Sequence, residues 1–190
     1  MWLKRDIRSQ DHEALFHAEQ STVPYIIIYV FEPTIIQYPD TSPRHLKFIY
    51  HSLKSLTKAL KPFNRRVEIM YAEALEVFKY LNTEFEVKNV FSYQESGIQL
   101  TWKRDKEVGL FFKKNKIHWQ EFQRDGVLRG IKNRDNWNKQ WRSKMHAPVI
   151  KNNYSLSELE ALSHSFLLPE KLEAELKEYC LLYTSDAADE

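Results

Sequence analysis

Four short runs rich in β-branched and aromatic residues divide the chain: VPYIIIYVF (23–31), RVEIMYA (66–72), VKNVFS (87–92) and KIHWQEF (116–122). Each predicts a buried β-strand. Between them the apolar period changes. After Ser42 and Pro43, an N-cap and first-turn pair, the residues Leu46, Ile49, Leu53, Leu56 and Leu60 recur along one face of an amphipathic helix. Residues 73–84 and 98–114 repeat the arrangement. Strands alternating with helices of this length predict right-handed β-α-β crossovers and a parallel sheet covered on both faces.

Both ends of the chain depart from this pattern. MWLKRD offers only two or three strand-like residues before its charges, and DHEALFHAEQ then reads as a helix. A parallel α/β domain begins with a full strand, so the expectation is a first strand that has lost residues upstream, leaving neighbouring apolar edges unpaired. From about Asn152 the period stops, and SLSELEALSHSFLLPEKLEAELKEY reads as a linker with short helical pieces. The final CLLYTSDAADE (180–190) does not continue the Glu/Lys/Leu pattern before it. It resembles one reading frame of a transposase-type sequencing adapter, the alternative being an ordinary polar tail.

Composition narrows the class. With 190 residues and 43% hydrophobic content, the chain suits one layered domain. No apolar run approaches a membrane span and the start lacks a secretory signal, so a soluble, cytoplasmic protein is expected. A single cysteine, Cys180, excludes an internal disulfide framework, and no paired Cys/His spacing suggests a structural metal. The formal charge is +2, and it becomes +5 without the tail, which holds three acids and no base. That balance is compatible with a nucleic-acid partner without identifying one.

Several chemistries are absent. Four glycines form neither a G-x-G-x-x-G fingerprint nor a phosphate-cradling loop. No serine lies in a G-x-S-x-G elbow, and no two histidines have H-x-x-x-H spacing. Glu13 and His17, four apart, read as a solvated surface pair. FQRDGVLRGIKNRDNWNKQWRSK (122–144) carries seven bases and two acids, with Trp137 and Trp141 four apart. Two readings apply to it: a nucleic-acid groove with aromatic stacking, or a helix whose Trp pair packs on the core beneath solvated cations. The turn SYQESG (92–97) follows the strand at 87–92. In open parallel sheets ligands bind beyond the carboxyl ends of the strands, near the topological switch point. A carboxylate there, Glu95, can accept hydrogen bonds from the amino and ring N–H groups of a pterin or flavin. It can equally cap the helix that follows.

A resemblance decides between these. WLKRDIRSQDHEAL (2–15) resembles the W-x-R-R-D-L-R-x-x-D-N-x-A-L opening of the photolyase and cryptochrome family through Trp2, Arg5, Asp6, Arg8, Asp11, Ala14 and Leu15. VFEP (30–33) resembles that family's V/I-F-D/E-P strand end, and SPRHLKFIYHSLKSL (42–56) its R-x-x-F-x-x-x-S-L-x-x-L helix through Arg44, Phe48, Ser52, Leu53 and Leu56. SYQESGIQLTWKRDKEV and WQEFQRDGVLRGIKNRDNW resemble later strand ends and the helix of the same N-terminal domain. Lys4, where many members have Arg, and His12, where Asn is usual, leave the subfamily open.

The resemblance implies a Rossmann-like, three-layer α/β domain over residues 1–150 with a five-stranded parallel sheet, its first strand shortened. Residues 151–179 would then be an interdomain linker. It implies an antenna chromophore, a folate, deazaflavin or flavin, held in this domain with Glu95, Tyr93 and Gln94 as contacts. It also implies a helical domain, C-terminal to this one, that binds FAD and DNA and performs the lyase chemistry; without it the chain would be inactive alone, with no catalytic residue or metal of its own. The full-length parent, a monomer without membrane attachment, would split pyrimidine dimers by light-driven electron transfer from reduced FAD. A cryptochrome-type photoreceptor without repair activity and a stand-alone nucleotide-binding module are the other expectations.

Overall fold

The computed structural model describes residues 1–21, 23–127 and 133–178. Five strands alternate with helices in the order β1 (Trp2–Leu3), α1 (Glu13–Glu19), β2 (Ile27–Phe31), α2 (Pro33–Ile36), α3 (Pro43–Leu60), β3 (Val67–Tyr71), α4 (Ala74–Phe85), β4 (Asn89–Tyr93), α5 (Gln99–Lys114), β5 (His118–Phe122), α6 (Trp137–Met145) and α7 (Glu170–Lys177). All strand pairs are parallel. The core has two halves. Ile27 and Phe31 of β2 pack with α1, α3 and α7 through Leu15, Leu53 and Leu176, whereas Ile28 and Val30, pointing the opposite way, pack with Val77, Phe78 and Phe112 of α4 and α5. Helices therefore cover both faces, as the alternation of periods predicts.

Among the described residues the five strands fall into two hydrogen-bonded sheets. Backbone hydrogen bonds connect β1-β2-β3 in one sheet and β4-β5 in another. The physical reason lies in β1, which has two residues in register with Ile28 and Tyr29 of β2. At one end its neighbour Met1 donates its ammonium to the Ile26 carbonyl at 2.8 Å. At the other, the Lys4 N–H donates to Asp6 Oδ1 at 3.1 Å, turning the chain out of the sheet. β2 likewise begins at Ile27 rather than Val23, and β5 at His118 rather than Lys116, whose φ of 57° is left-handed.

The segment read as a linker lies along this domain. Asn152 is buried; its Nδ2 donates to the His12 carbonyl and its Oδ1 accepts from the His12 N–H, both at 2.9 Å. Further on, Leu162 N–H donates to Glu68 and the Phe166 carbonyl accepts from Tyr71 N–H, so the segment covers the free edge of β3. α7 then packs on α3, with Leu176 buried between them. The adapter-like tail lies outside the described residues.

Candidate functional site

The carboxyl ends of β1, β2 and β4 converge, and each delivers a charged side chain: Lys4 and Arg5 just after β1, Glu32 just after β2, and Glu95 two residues after β4. The second turn of α5 adds Arg104 and Asp105. On that helix Thr101, Asp105, Val108 and Phe112 are buried, a stripe of helical spacing that turns a carboxylate inward. Arg104 forms the centre. Its guanidinium meets Glu32 Oε1 at 2.6 Å, Glu95 Oε2 at 3.2 Å and Asp105 Oδ1 at 3.0 Å. Lys4 Nζ meets Asp105 Oδ2 at 2.8 Å and approaches Glu121 Oε1 of β5 at 3.7 Å. Arg5 Nε lies 3.2 Å from Glu95 Oε1, and the Arg5 side chain is 54% exposed against 3% for Glu95.

Burial and charge oppose one another here. Burial works against the Arg104 charge, but Glu32, Asp105 and Glu95 outweigh it and raise the guanidinium above its ordinary value. For Glu32 burial wins, raising its carboxyl despite Arg104 and the N–H of Ala74. Burial likewise holds Lys4 below the ordinary lysine range, against the pull of Asp105. Lys4 and Arg104 also stand over the Trp2 ring, at 4.4 and 5.0 Å from its centre, so an aromatic face supplements the carboxylates. A buried cation shared by carboxylates from two strand ends fixes those ends relative to each other. Arg5 meets solvent, whereas the Glu95 carboxylate itself is buried.

Gly97 makes this turn possible. A Cβ at that position would come within 2.6 Å of both Arg5 Nη2 and Glu95 Oε1 and within 2.8 Å of Thr101 Oγ1. Glu95 is not the cap of α5: the N-cap is Ile98, with no side-chain cap bond, and the Glu95 carboxylate reaches forward to Arg104 instead. Tyr93 faces the opposite half of the core. Its hydroxyl accepts the Glu13 N–H at 2.8 Å and its ring lies 5.0 Å from His12. Gln94 is half-buried, and its backbone N–H donates to the Phe122 carbonyl, joining the ends of β4 and β5.

Two other sequence readings change. Glu13 and His17 do not pair on the surface: Glu13 accepts from Lys144 of α6 at 2.9 Å, while His17 stacks on Phe122 at 4.7 Å. On α6 no residue is buried, so its Trp pair does not pack on the core. Trp137 and Trp141 lie 6.2 Å apart, and Trp137 Nε1 donates to the Gly126 carbonyl. Part of that basic segment, residues 128–132, lies outside the described residues.

Sequence reasoning missed Lys4, Glu32, Arg104, Asp105 and Glu121 as members of the Glu95 cluster. The inward stripe of α5 was the available signal for Asp105. His12, which stands at an Asn position of the family pattern, serves as a helix cap. Its Nδ1 accepts the Leu15 N–H at 3.1 Å, so the proton belongs on Nε2, which lies 2.8 Å from Asp6 Oδ2.

No helix among the described residues is long and apolar enough to cross a membrane. Three solved structures share the fold. An archaeal photolyase from Sulfolobus tokodaii, which holds two FAD molecules and for which a novel light-harvesting cofactor is implied, matches at 18% identity over 93% of this chain and 41% of its own, with a TM-score of 0.64. A class III photolyase from Agrobacterium tumefaciens matches at 17% identity over 91% of this chain and 36% of its own, with a TM-score of 0.69. A cryptochrome from Synechocystis sp. PCC6803 matches at 15% identity over 90% and 39% respectively, also at 0.69. The chain thus spans roughly two fifths of the length of these proteins. No curated protein matches it. The family model described as DNA photolyase matches residues 1–151, four fifths of the chain and all five strands among the described residues, and the chain belongs to that family.

Proposed function

We propose that this chain is the antenna-side α/β domain of a light-driven DNA repair flavoprotein. The family match over residues 1–151 carries the reading. The parent protein would work in the cytoplasm as a monomer, using a further helical domain to bind FAD and damaged DNA, and residues 151–179 would lead toward it. When bound, FAD supplies the photoexcited electron that splits a pyrimidine dimer. The residues of the present chain bind and orient.

Glu95 suits the polar edge of a heteroaromatic antenna, whether folate, deazaflavin or flavin. Its carboxylate meets Arg104 through one oxygen and the half-exposed Arg5 through the other. A ligand amino or ring N–H group would displace Arg5 and take its place on Oε1, while Arg104 keeps the carboxylate aimed. Tyr93 and Gln94 set the turn that presents it: the first ties β4 to α1, the second ties β4 to β5. In the assembled parent, the same cluster would fix the end of the sheet against which the ring is laid, and the five strands would form one continuous sheet.

The test is to read the frame through its source DNA, express its complete product and assay it on an oligonucleotide containing a pyrimidine dimer. Blue-light-dependent restoration of the pyrimidines, by a product that co-purifies with FAD, is the expected result. A flavin-bound product that leaves the dimer intact would replace repair with photoreception. A frame that closes near residue 179 would leave only a nucleotide-binding module.

A further inference from the structure

The helix α3 has 18 residues and contains Arg44, Lys47, Lys54 and Lys58 but no aspartate or glutamate. Lys61 extends the series at its C-cap, still in helical conformation. At about 100° and about 1.5 Å per residue, Lys47, Lys54, Lys58 and Lys61 fall within about 60° of one another and mark a line of about 21 Å. Leu53, Leu56 and Leu60 turn the other side of the helix into the core. A solvated helix face ordinarily carries both signs, as α5 does where Lys103 approaches Glu107 at 4.0 Å. The dipole at the carboxyl end of α3 favours Lys58 and Lys61, but it does not extend back to Lys47 and Lys54.

Anions already meet one end of this stripe. Glu178, just past α7, lies 2.6 Å from Lys47 Nζ, and Lys47 holds its carboxyl below the ordinary range. Glu173 of α7 accepts from the Tyr50 hydroxyl at 3.2 Å and lies in the field of Lys54. Beyond them Lys58 and Lys61 are exposed and form no ion pair among the described residues.

We propose that this stripe is a nucleic-acid contact of the α/β domain itself, neutralising phosphates along one strand of undamaged duplex DNA without reading its sequence. Ammonium groups are compact point charges suited to phosphate. Each strand of a duplex presents one phosphate per about 3.4 Å of axis, so the line spans about six of them and its lysines neutralise about three or four. A lipid surface takes a helix by its apolar side, which α3 spends on the core. A single strand needs exposed rings to stack on, and the exposed Phe48 lies about 100° round the helix from Lys47. The contact is separate from the helical domain that would hold the lesion and from the Glu95 turn, so it stands or falls without the antenna reading.

The experiment titrates a fluorescein-labelled, undamaged duplex of about 20 base pairs with the full chain, followed by anisotropy between about 50 and 200 mM salt. The parent chain should bind with a slope of log K against log salt of about −3 to −4. Lys54→Gln, Lys58→Gln and Lys61→Gln together should weaken binding at least about tenfold at the lowest salt and make the slope shallower by about 2–3, with the melting temperature unchanged. Lys106→Gln, Lys113→Gln and Lys114→Gln together, all exposed on α5, remove the same charge and should leave the slope as it is. No binding by the parent chain, equal losses in the two triple variants, or stripe-dependent binding to anionic lipid vesicles in place of the duplex would overturn the proposal. If the α3 triple variant melts lower, Lys58→Gln alone decides: a slope shallower by about one supports the contact, and an unchanged slope overturns it.

Discussion

Replacing Arg104 with Met removes the cation at the centre of the carboxyl-end cluster while keeping an unbranched side chain. Glu32 and Glu95, each only 3% exposed, would then face each other's strand ends without it. Breaking a buried ion pair by deleting one partner costs about 3–5 kcal/mol, because the remaining charge has neither water nor a counterion. Lys4 does not compensate, since it is committed to Asp105 and Glu121. For a chain of this size each kcal/mol moves the melting temperature by about 2–4 °C, so R104M should melt roughly 6–20 °C lower. Differential scanning calorimetry at neutral pH measures this directly. The cost should be recovered in part by adding Glu32→Gln, which removes the orphaned charge, whereas Glu95 keeps Arg5, so the double variant should melt above R104M. Acid should help R104M as well. The Glu32 carboxyl is raised above 4.5 by burial, so the folded state binds the proton more readily than the unfolded chain. Its cost is present above the folded pKa and is relieved as pH falls through that value toward 4.5. A loss below about 1 kcal/mol in R104M, the value of an exposed pair, would refute the reasoning, as would a double variant no more stable than the single.

Three further outcomes follow from the structure. The Met1 amine, lowered from 8.0 to about 5, binds fewer protons folded than unfolded between those values, so stability should rise from pH 5 to pH 8 by at most about 4 kcal/mol; urea midpoints across that window should flatten on Nα-acetylation. Gly97→Ala places a methyl against Arg5, Glu95 and Thr101 and should cost about 1–3 kcal/mol, read as a lower denaturation midpoint. Asn152→Ala removes both side-chain bonds to the His12 backbone and should cost about 1–3 kcal/mol, with faster proteolytic cutting between residues 152 and 168 as the independent readout.

The extent to which the sequence foretold the molecule depends on whether each signal was local. The α3 stripe from Leu46 to Leu60 and the β-branched runs are local, and helix and strands formed there within a few residues of expectation. Strand starts were less legible. Val23 to Ile26 have strand composition, yet pairing begins at Ile27 because a strand needs a partner edge and β1 provides one for so few residues. Glu95 was visible because a carboxylate in a turn after a strand is a local feature. Its partners were not: Glu32 and Arg104 are 63 and 9 residues away from it in sequence, and only the convergence of strand ends brings them together. The basic helix shows the reverse error. Trp137 and Trp141 have core-like spacing, but their neighbours Asn138, Lys139, Gln140 and Arg142 surround them with polarity, and α6 buries none of its residues.

The central claim is that the Glu95 turn receives a heteroaromatic antenna. The most direct measurement is a spectroscopic titration of the purified chain with a reduced folate, a deazaflavin and FMN, repeated on Glu95→Gln, with melting temperatures recorded for both proteins. The account predicts that one of the three binds at one equivalent with a shifted near-ultraviolet or blue band. In the variant that binding should weaken by at least about tenfold, the loss of one charge-assisted hydrogen bond. Binding that is unaltered by Glu95→Gln, or no binding of any of the three, would contradict it.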